Sequence, residues 1–177
     1  MSDQTTPAAT SSRQVVVFEL GREEYAAPIE QIREVVKVPK ITLVPNGQAF
    51  VVGVMNLRGQ IVPVIDLEKL FDLPAASQTA AQHIVVSEDA GHIPFGVQVD
   101  QVLEVLRVSA DTIKPTPKMV TARISSDYLD GVVILEQDDK ADKTDNAGRM
   151  ILLLNLQKIM SDKALSQHKQ EGSVLAT

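Results

Sequence analysis

Three histidines are the side chains in this chain best suited to acid–base or metal chemistry, because imidazole titrates near neutral pH and binds transition metals. They are His83, His92 and His168, and none has a second histidine at metal-ligand spacing or a serine in a nucleophile motif beside it. The chain also lacks a phosphate-cradling glycine loop and a dinucleotide-binding glycine fingerprint. We therefore predict that the protein is not an enzyme and that the histidines are surface residues.

Carboxylates are concentrated in residues 136–148, EQDDKADKTDNAG, a charged segment without periodicity. Such a loop could offer oxygen ligands to calcium, but it lacks the central glycine and the closing glutamate of the helix–loop–helix calcium site. We predict a solvated loop, with no bound metal or cofactor. A small-ligand or metal-binding regulator that uses this loop is kept as an alternative, which calorimetry with calcium would test.

A tight turn at Arg58-Gly59 separates two apolar, β-branched runs within residues 53–67, GVMNLRGQIVPVIDL. The pattern predicts a β-hairpin in which Gly59 supplies the positive φ of the turn. Arg58 is costly to bury without a partner, so it should project from the end of the hairpin. Asp66 should then end the second strand and cap a short helix over residues 67–71.

Composition limits the class of protein that can position these groups. The chain has 177 residues, 44% of them hydrophobic, which is enough for one domain or two small lobes. It has no cysteine, so disulfides and thiolate metal sites are excluded, and its apolar runs are far shorter than the roughly 20 residues of a membrane helix. The net charge is −6 and no basic stripe is present. We expect a cytoplasmic protein that neither inserts directly into membranes nor binds nucleic acid.

The ends of the chain and one internal segment carry little to bury. Residues 1–13 are predicted to be a disordered tail and residues 161–177 a polar C-terminal tail. Residues 74–82, PAASQTAAQ, are predicted to be a surface connection. We place the division between two lobes of the intervening domain, residues 14–160, near this connection.

An internal repeat is the most informative feature of the sequence. Residues 29–38, IEQIREVVKV, align without gaps on residues 99–108, VDQVLEVLRV, at an offset of 70. Most matched positions keep their identity or their chemical type. The pattern is typical of a single helical turn that passes into a strand.

The repeat continues beyond these segments. Gly53-Val54 is matched by Gly131-Val132, and PVIDLEKL by LLLNLQKI, which places Asn155 on Asp66. Asp and Asn are both preferred helix N-caps, so one structural requirement explains that exchange. The duplication predicts two similar lobes of about five short strands each, closed into small barrels so that no sheet edge is exposed.

The same runs of residues carry a resemblance to a known family. FVVGVMNLRGQIVPVIDL, preceded by YAAPIEQIREVV and followed by PFGVQVDQVLEVLRV, resembles CheW, the chemotaxis adaptor, and the match extends from about Gln14 to Met160. The resemblance implies an all-β fold of two tandem five-stranded SH3-like barrels with short helices. It also implies a non-catalytic adaptor that joins chemoreceptors to the histidine kinase CheA, docking on the kinase regulatory domain and holding the receptor's helical tip in a groove between the lobes.

The family's receptor- and kinase-coupling positions are carried over residue by residue, as the resemblance implies. They fall on seven residues of this sequence: Ile32, Glu34, Gly53, Asn56, Arg58, Val99 and Val102. Other roles stay open for several of them. The three aliphatic residues could equally be core, Gly53 could serve backbone conformation, and Glu34 could be an ordinary surface carboxylate.

The resemblance further implies a protein that is monomeric by itself and joins membrane-associated receptor arrays through its partners. An alternative within the family is a scaffold of a chemosensory system that controls type IV pili or second-messenger output. Local sequence patterns do not separate these pathways.

Overall fold

The computed structural model describes residues 11–45, 49–73, 83–122, 124–135 and 148–161. The strands are β1 (Ser12–Leu20), β2 (Glu23–Pro28), β3 (Ile32–Lys37), β4 (Ile41–Thr42), β5 (Val51–Leu57), β6 (Gln60–Asp66), β7 (His83–Glu88), β8 (Pro94–Val99), β9 (Gln101–Ser109), β10 (Ile113–Lys114), β11 (Leu129–Leu135) and β12 (Arg149–Leu154). The α-helices are α1 (Leu67–Leu70), α2 (Lys118–Thr121) and α3 (Leu156–Ser161). The all-β class with short helices is confirmed.

Several sequence predictions concern residues outside these ranges. The connection 74–82, nearly all of the acidic segment 136–148 and most of both predicted tails lie outside the described residues. At the inner ends of the tails the structure differs from the prediction. Ser12 and Arg13 belong to β1, because they pair with the end of β9, and Ser161 is the last residue of α3.

The strands form two six-stranded sheets. The first-lobe sheet has the order β3-β7-β8-β6-β5-β4, and the second-lobe sheet has the order β10-β11-β12-β2-β1-β9. Neighbouring strands are antiparallel except for the parallel pairs β6–β8 and β12–β2. The chain therefore starts in the second lobe, enters the first at residues 29–31 and returns at Asp100.

This strand exchange corrects the predicted division of the lobes near residues 74–82. The strands on either side of that connection, β6 and β7, belong to the same sheet. The sheets instead change at the two repeat segments, 29–38 and 99–108. The first hairpin, β1–β2, belongs to the second lobe because it pairs with β9 and β12. The sequence prediction missed this, because local patterns do not encode which distant strands pair.

Each sheet curls, which brings its two edge strands near each other. Strands β3 and β4 are at opposite edges, which would lie about 24 Å apart in a flat six-stranded sheet. Lys37 and Ile41 are four residues apart, and a chain of that length spans at most about 15 Å. The same argument applies to Ser109 of β9 and Ile113 of β10. Each barrel has six strands rather than five because the two-residue strands β4 and β10 join it.

Apolar side chains form three clusters, and the largest of them lies between the lobes. One small cluster fills the first barrel and another fills the second. The largest takes residues from the outer faces of both sheets, including the stacked pair Phe18 and Tyr25 of the second lobe and Phe95 and Val97 of the first. Both lobes therefore contribute to one core and pack against each other through it.

Candidate protein-docking site

The predicted hairpin is present, and its turn presents Arg58. Residues Arg58 and Gly59 both have positive φ, 53° and 85°, so the two-residue loop is a type I′ turn. The side-chain oxygen Oδ1 of Asn56 accepts a hydrogen bond of 2.8 Å from the backbone N–H of Gly59. The left-handed conformation costs a non-glycine residue roughly 1–2 kcal/mol. The turn thus holds Arg58 in an unfavourable conformation, with its side chain 77% exposed.

Arg58 forms a two-pronged ion pair with Glu34 of the edge strand β3. Its Nη1 and Nη2 donate to Oε1 and Oε2 of Glu34 at 2.9 and 2.8 Å. The pair joins the hairpin end to the opposite edge of the first-lobe sheet, across the seam of the barrel. An exposed pair of this kind stabilises a fold by only about 0.2–1 kcal/mol. Arg58, Glu34 and Asn56 therefore form one exposed polar cluster, the hairpin-end cluster.

Gly53 is buried and serves the backbone. A Cβ atom there would overlap the carbonyl oxygen of Thr42 and would lie 2.9 Å from Cγ2 of Ile41. Its repeat counterpart, Gly131, meets Ile113 and Lys114 of β10 in the same way, with contacts of 2.7 Å to both. In both lobes the strand register shifts beside this glycine. Gly53 lets the short strand β4 approach β5, and it offers no side chain to a partner.

The three aliphatic candidates separate into one core residue and two boundary residues. Val99 is fully buried in the cluster between the lobes, so the core alternative holds for it. Ile32 and Val102 are half-buried and pack against the edge of that cluster. Each stands near the start of the strand that follows a crossing between the sheets, at the repeat offset of 70.

Two further valines at this boundary were missed in the sequence prediction. Val35 of β3 and Val105 of β9 are 38% and 53% exposed, and they also match at the offset of 70. Their β-strand partners are Val85, which belongs to the cluster between the lobes, and Val16, which alternates with the inward-facing Val15 and Val17 of β1. The signal was available, because the repeat alignment pairs Val35 with Val105, and each follows a glutamate at the same place in its segment. We call Ile32, Val35, Val102 and Val105 the boundary cluster.

Side-chain hydrogen bonds fix both crossings between the sheets. Oε1 of Gln31 accepts a 2.9 Å hydrogen bond from the backbone N–H of Leu156, at the start of α3. At the second crossing, Oδ2 of Asp100 accepts one of 2.7 Å from the N–H of Gly21. Burial raises the pKa of the Asp100 carboxyl above its ordinary value, and burial likewise raises the pKa of Glu68 nearby. Polar contacts therefore hold the two lobes in register on both sides.

The predicted helix caps are confirmed in both copies. Oδ1 of Asp66 accepts hydrogen bonds from the backbone N–H groups of Glu68 and Lys69, at 2.9 and 3.3 Å. Oδ1 of Asn155 accepts one of 3.1 Å from Lys158. The Asp66 carboxylate and the Asn155 amide are thus engaged in a structural role.

The two histidines in the described part of the chain, His83 and His92, do not form a reactive centre. His92 is on the surface as predicted, 3.2 Å from Glu88 through its Nδ1, whereas His83 is half-buried in β7 with its Nδ1 buried. His168 lies outside the described residues. Among the residues that the structure describes, no group of three or more potential metal ligands is found, and no helix is long and apolar enough to cross a membrane.

A groove of about 690 Å³ lies on the second lobe, away from the hairpin-end cluster. Its walls are mainly apolar, with Met119 and Met150 at its rim, and its charged groups include the paired Glu24 and Arg149. A catalytic site needs titratable groups directed at a substrate. In this groove Glu24 is bound to Arg149, and the two other glutamates, Glu19 and Glu23, accept hydrogen bonds from Gln101 and Tyr25. Its chemistry therefore resembles that of a protein surface rather than an active site.

Two curled sheets share one core, with an exposed ion pair on one hairpin and aliphatic side chains along the lobe boundary, a combination that offers surface to other proteins. In the comparison with known proteins, the family model of the CheW-like domain matches residues 14–164. The chain belongs to the CheW-like domain family, a family of chemotaxis scaffolds without enzymatic activity.

Individual relatives cover nearly the whole chain. The chemotaxis protein CheW of Klebsiella aerogenes is 30% identical over 157 residues, which are 89% of this chain and 87% of that protein. The CheW protein of Thermotoga maritima is 30% identical over 162 residues, 90% and 95% of the two chains. The crystal structure of the scaffolding protein TtCheW from Thermoanaerobacter tengcongensis has a TM-score of 0.71 and 30% identity, covering 93% of this chain and 96% of that one.

Proposed function

We propose that this protein couples chemoreceptors to the histidine kinase CheA by protein contacts alone, as a cytoplasmic adaptor recruited to membrane-associated receptor arrays. The partners are the regulatory domain of the kinase and the helical tip of the receptor. By itself the protein is monomeric, and it acts by bringing the two partners together.

The observation that carries this proposal is the hairpin-end cluster. The turn holds Arg58 in a left-handed conformation that a glycine would adopt without cost, and its ion pair contributes little to folding. A residue kept exposed at a conformational cost is better explained by binding than by stability. Arginine is a frequent anchor of protein interfaces, because its planar fork pairs with carboxylates and backbone oxygens.

The boundary cluster supplies the apolar part of the interface. A binding surface combines apolar side chains that fill partner pockets with a few charges that set the register. Ile32 and Glu34 are two residues apart on β3, so the same strand contributes to the boundary cluster and to the hairpin-end cluster. This continuity supports an interface that includes both clusters.

The test is Arg58→Ala, with Arg33→Ala as its matched control. Both arginines are exposed and reach a glutamate, but the Arg33 pair is a single contact of 3.6 Å to Glu88. We expect Arg58→Ala to lower the melting temperature by no more than about 4 °C, because its exposed pair stabilises the fold by at most about 1 kcal/mol. An arginine anchor typically contributes about 2 kcal/mol or more, so the affinity of the receptor–adaptor–kinase complex should fall roughly thirtyfold.

The measurement is a pull-down with the receptor tip and the isolated kinase regulatory domain, together with kinase activation. Arg33→Ala should behave as the unmodified protein does in both assays. If Arg58→Ala assembled and activated normally, the hairpin-end cluster would not be the docking site. The identity of the captured receptor would also tell a flagellar system from one that controls pili or second-messenger output.

A further inference from the structure

The second lobe contains its own version of the Arg58–Glu34 pair. Arg149 is the first residue of β12 and lies at the end of the hairpin β11–β12, as Arg58 lies at the end of β5–β6. Glu104 of β9 matches Glu34 of β3 at the repeat offset of 70. Nη1 of Arg149 and Oε1 of Glu104 are 2.5 Å apart. The duplication thus reproduces the ion pair across the barrel seam, although the two arginines do not align in sequence.

The two versions differ in how firmly the arginine is held. Nε of Arg149 also donates a 2.7 Å hydrogen bond to Oε2 of Glu24 on β2, so one guanidinium joins β12, β2 and β9. Glu24 corresponds at the offset of 70 to Pro94, which has no carboxylate. Arg149 is 34% exposed against 77% for Arg58. The hydrogen bond that the Arg149 guanidinium donates to Glu24 raises the pKa of this guanidinium above its ordinary value, so the residue stays charged.

The contact with Glu104 falls at an irregular point of β9. The pairing of β9 with β1 shifts register there, since Val17 pairs with Glu104 and Phe18 with Val102. A bulge of this kind interrupts the ladder and leaves the strand less firmly held by its neighbour. Glu104 is the first residue beyond the bulge, and Val102 and Val105 of the boundary cluster flank it.

We propose that Arg149 is a positioning residue for the docking surface: through Glu104 and Glu24 it fixes β9 at its bulge, so that Val102 and Val105 keep their place at the lobe boundary. The inference rests on the proposed function, because that function makes the boundary cluster a partner surface. Arg149 acts through β9, whereas Arg58 meets the partner itself. The two lobes thus use a duplicated ion pair for two purposes.

The test compares Arg149→Gln and Glu104→Gln in the full chain, with Arg33→Gln as the control for loss of a surface cation. Amide hydrogen exchange reports the opening of residues 102–106, and titration with the receptor tip reports binding. We expect exchange in this segment to become roughly tenfold faster or more in both variants, with a similar loss of affinity. The double variant should add little to either single one. Arg149→Lys keeps the charge and should recover part of both properties.

Glu104→Gln leaves the Arg149–Glu24 bond in place, so it decides the question if Arg149→Gln does not fold. If both variants melt at a lower temperature but bind the receptor tip normally when folded, Arg149 has a purely structural role and the proposal is overturned. Unchanged exchange at residues 102–106 would also overturn it. If the unmodified protein does not bind the receptor tip, the proposed function is wrong. The hydrogen-exchange measurement still decides in that case whether Arg149 fixes β9.

Discussion

The role of Gly53 can be decided by a single methyl group. In Gly53→Ala the new Cβ would overlap the carbonyl oxygen of Thr42 and crowd Cγ2 of Ile41 at 2.9 Å. Relief requires movement of β4, whose two residues pair with Val54 and Met55 of β5. Overpacking of this kind typically costs about 1–3 kcal/mol, and each kcal/mol lowers the melting temperature of a protein of this size by roughly 2–4 °C. We expect a fall of about 2–12 °C, measured by scanning calorimetry.

Two other glycines provide matched controls for this experiment. Gly131→Ala introduces the same clash in the second lobe and should destabilise to a similar degree. Gly59→Ala meets nothing within 4 Å among the described residues, so its cost comes from its φ of 85° alone. Binding by Gly53→Ala should fall only in proportion to the unfolded fraction. A Gly53→Ala protein that melts normally and yet fails to bind would show that Gly53 contacts a partner, which would refute the steric argument.

Two further predictions concern the lobe boundary. Val99→Ala removes two methyl groups from a fully buried site, so it should lower the free energy of unfolding by about 2 kcal/mol without changing the binding of each folded molecule. Val102→Ala should weaken binding more than it lowers stability. The assignment is wrong if calorimetry and pull-down show that Val99→Ala weakens binding and Val102→Ala mainly lowers stability. The raised pKa of Asp100 means that its carboxyl contributes stability at pH values below its unfolded pKa, and this contribution is lost as pH rises through the folded pKa. In Asp100→Asn the amide oxygen can still accept the hydrogen bond from the N–H of Gly21. The variant should therefore be at least as stable as the unmodified protein at about pH 7, and this difference in stability should shrink toward about pH 3. Denaturant titrations in which the unmodified protein is the more stable one at neutral pH would contradict this.

Local features of the fold could be predicted from the sequence because short-range chemistry determines them. The Arg58-Gly59 turn, the caps at Asp66 and Asn155, and the single turn that passes into β3 all depend on residues within a few positions of each other. The repeat offset of 70 predicted the duplication because matched segments adopt matched structures. The exposed Arg58 of the proposed site follows from the same short-range chemistry.

Long-range pairing could not be predicted in the same way. Nothing near β1 and β2 indicates that their neighbours are β9 and β12 rather than β3, so the lobe division was placed in the wrong segment. Val99 and Val102 are both valines in an apolar pattern, and only the packing of the two sheets makes one core and the other half-exposed. The partners of Arg149 lie 45 and 125 residues away in the chain, beyond the reach of a spacing argument.

Strand exchange has a consequence for an adaptor that independent lobes would not provide. The hairpin β1–β2 is separated in the chain from its sheet neighbours β9–β12 by the whole of the first lobe, so the second lobe is completed only when the first is in place. The largest apolar cluster then joins the outer faces of both barrels, and neither lobe can rotate without exposing it. The fold therefore fixes the orientation of the hairpin-end cluster relative to the boundary residues on β9. A protein that must hold two partners at a set geometry needs this property, because a flexible joint between lobes would lose it.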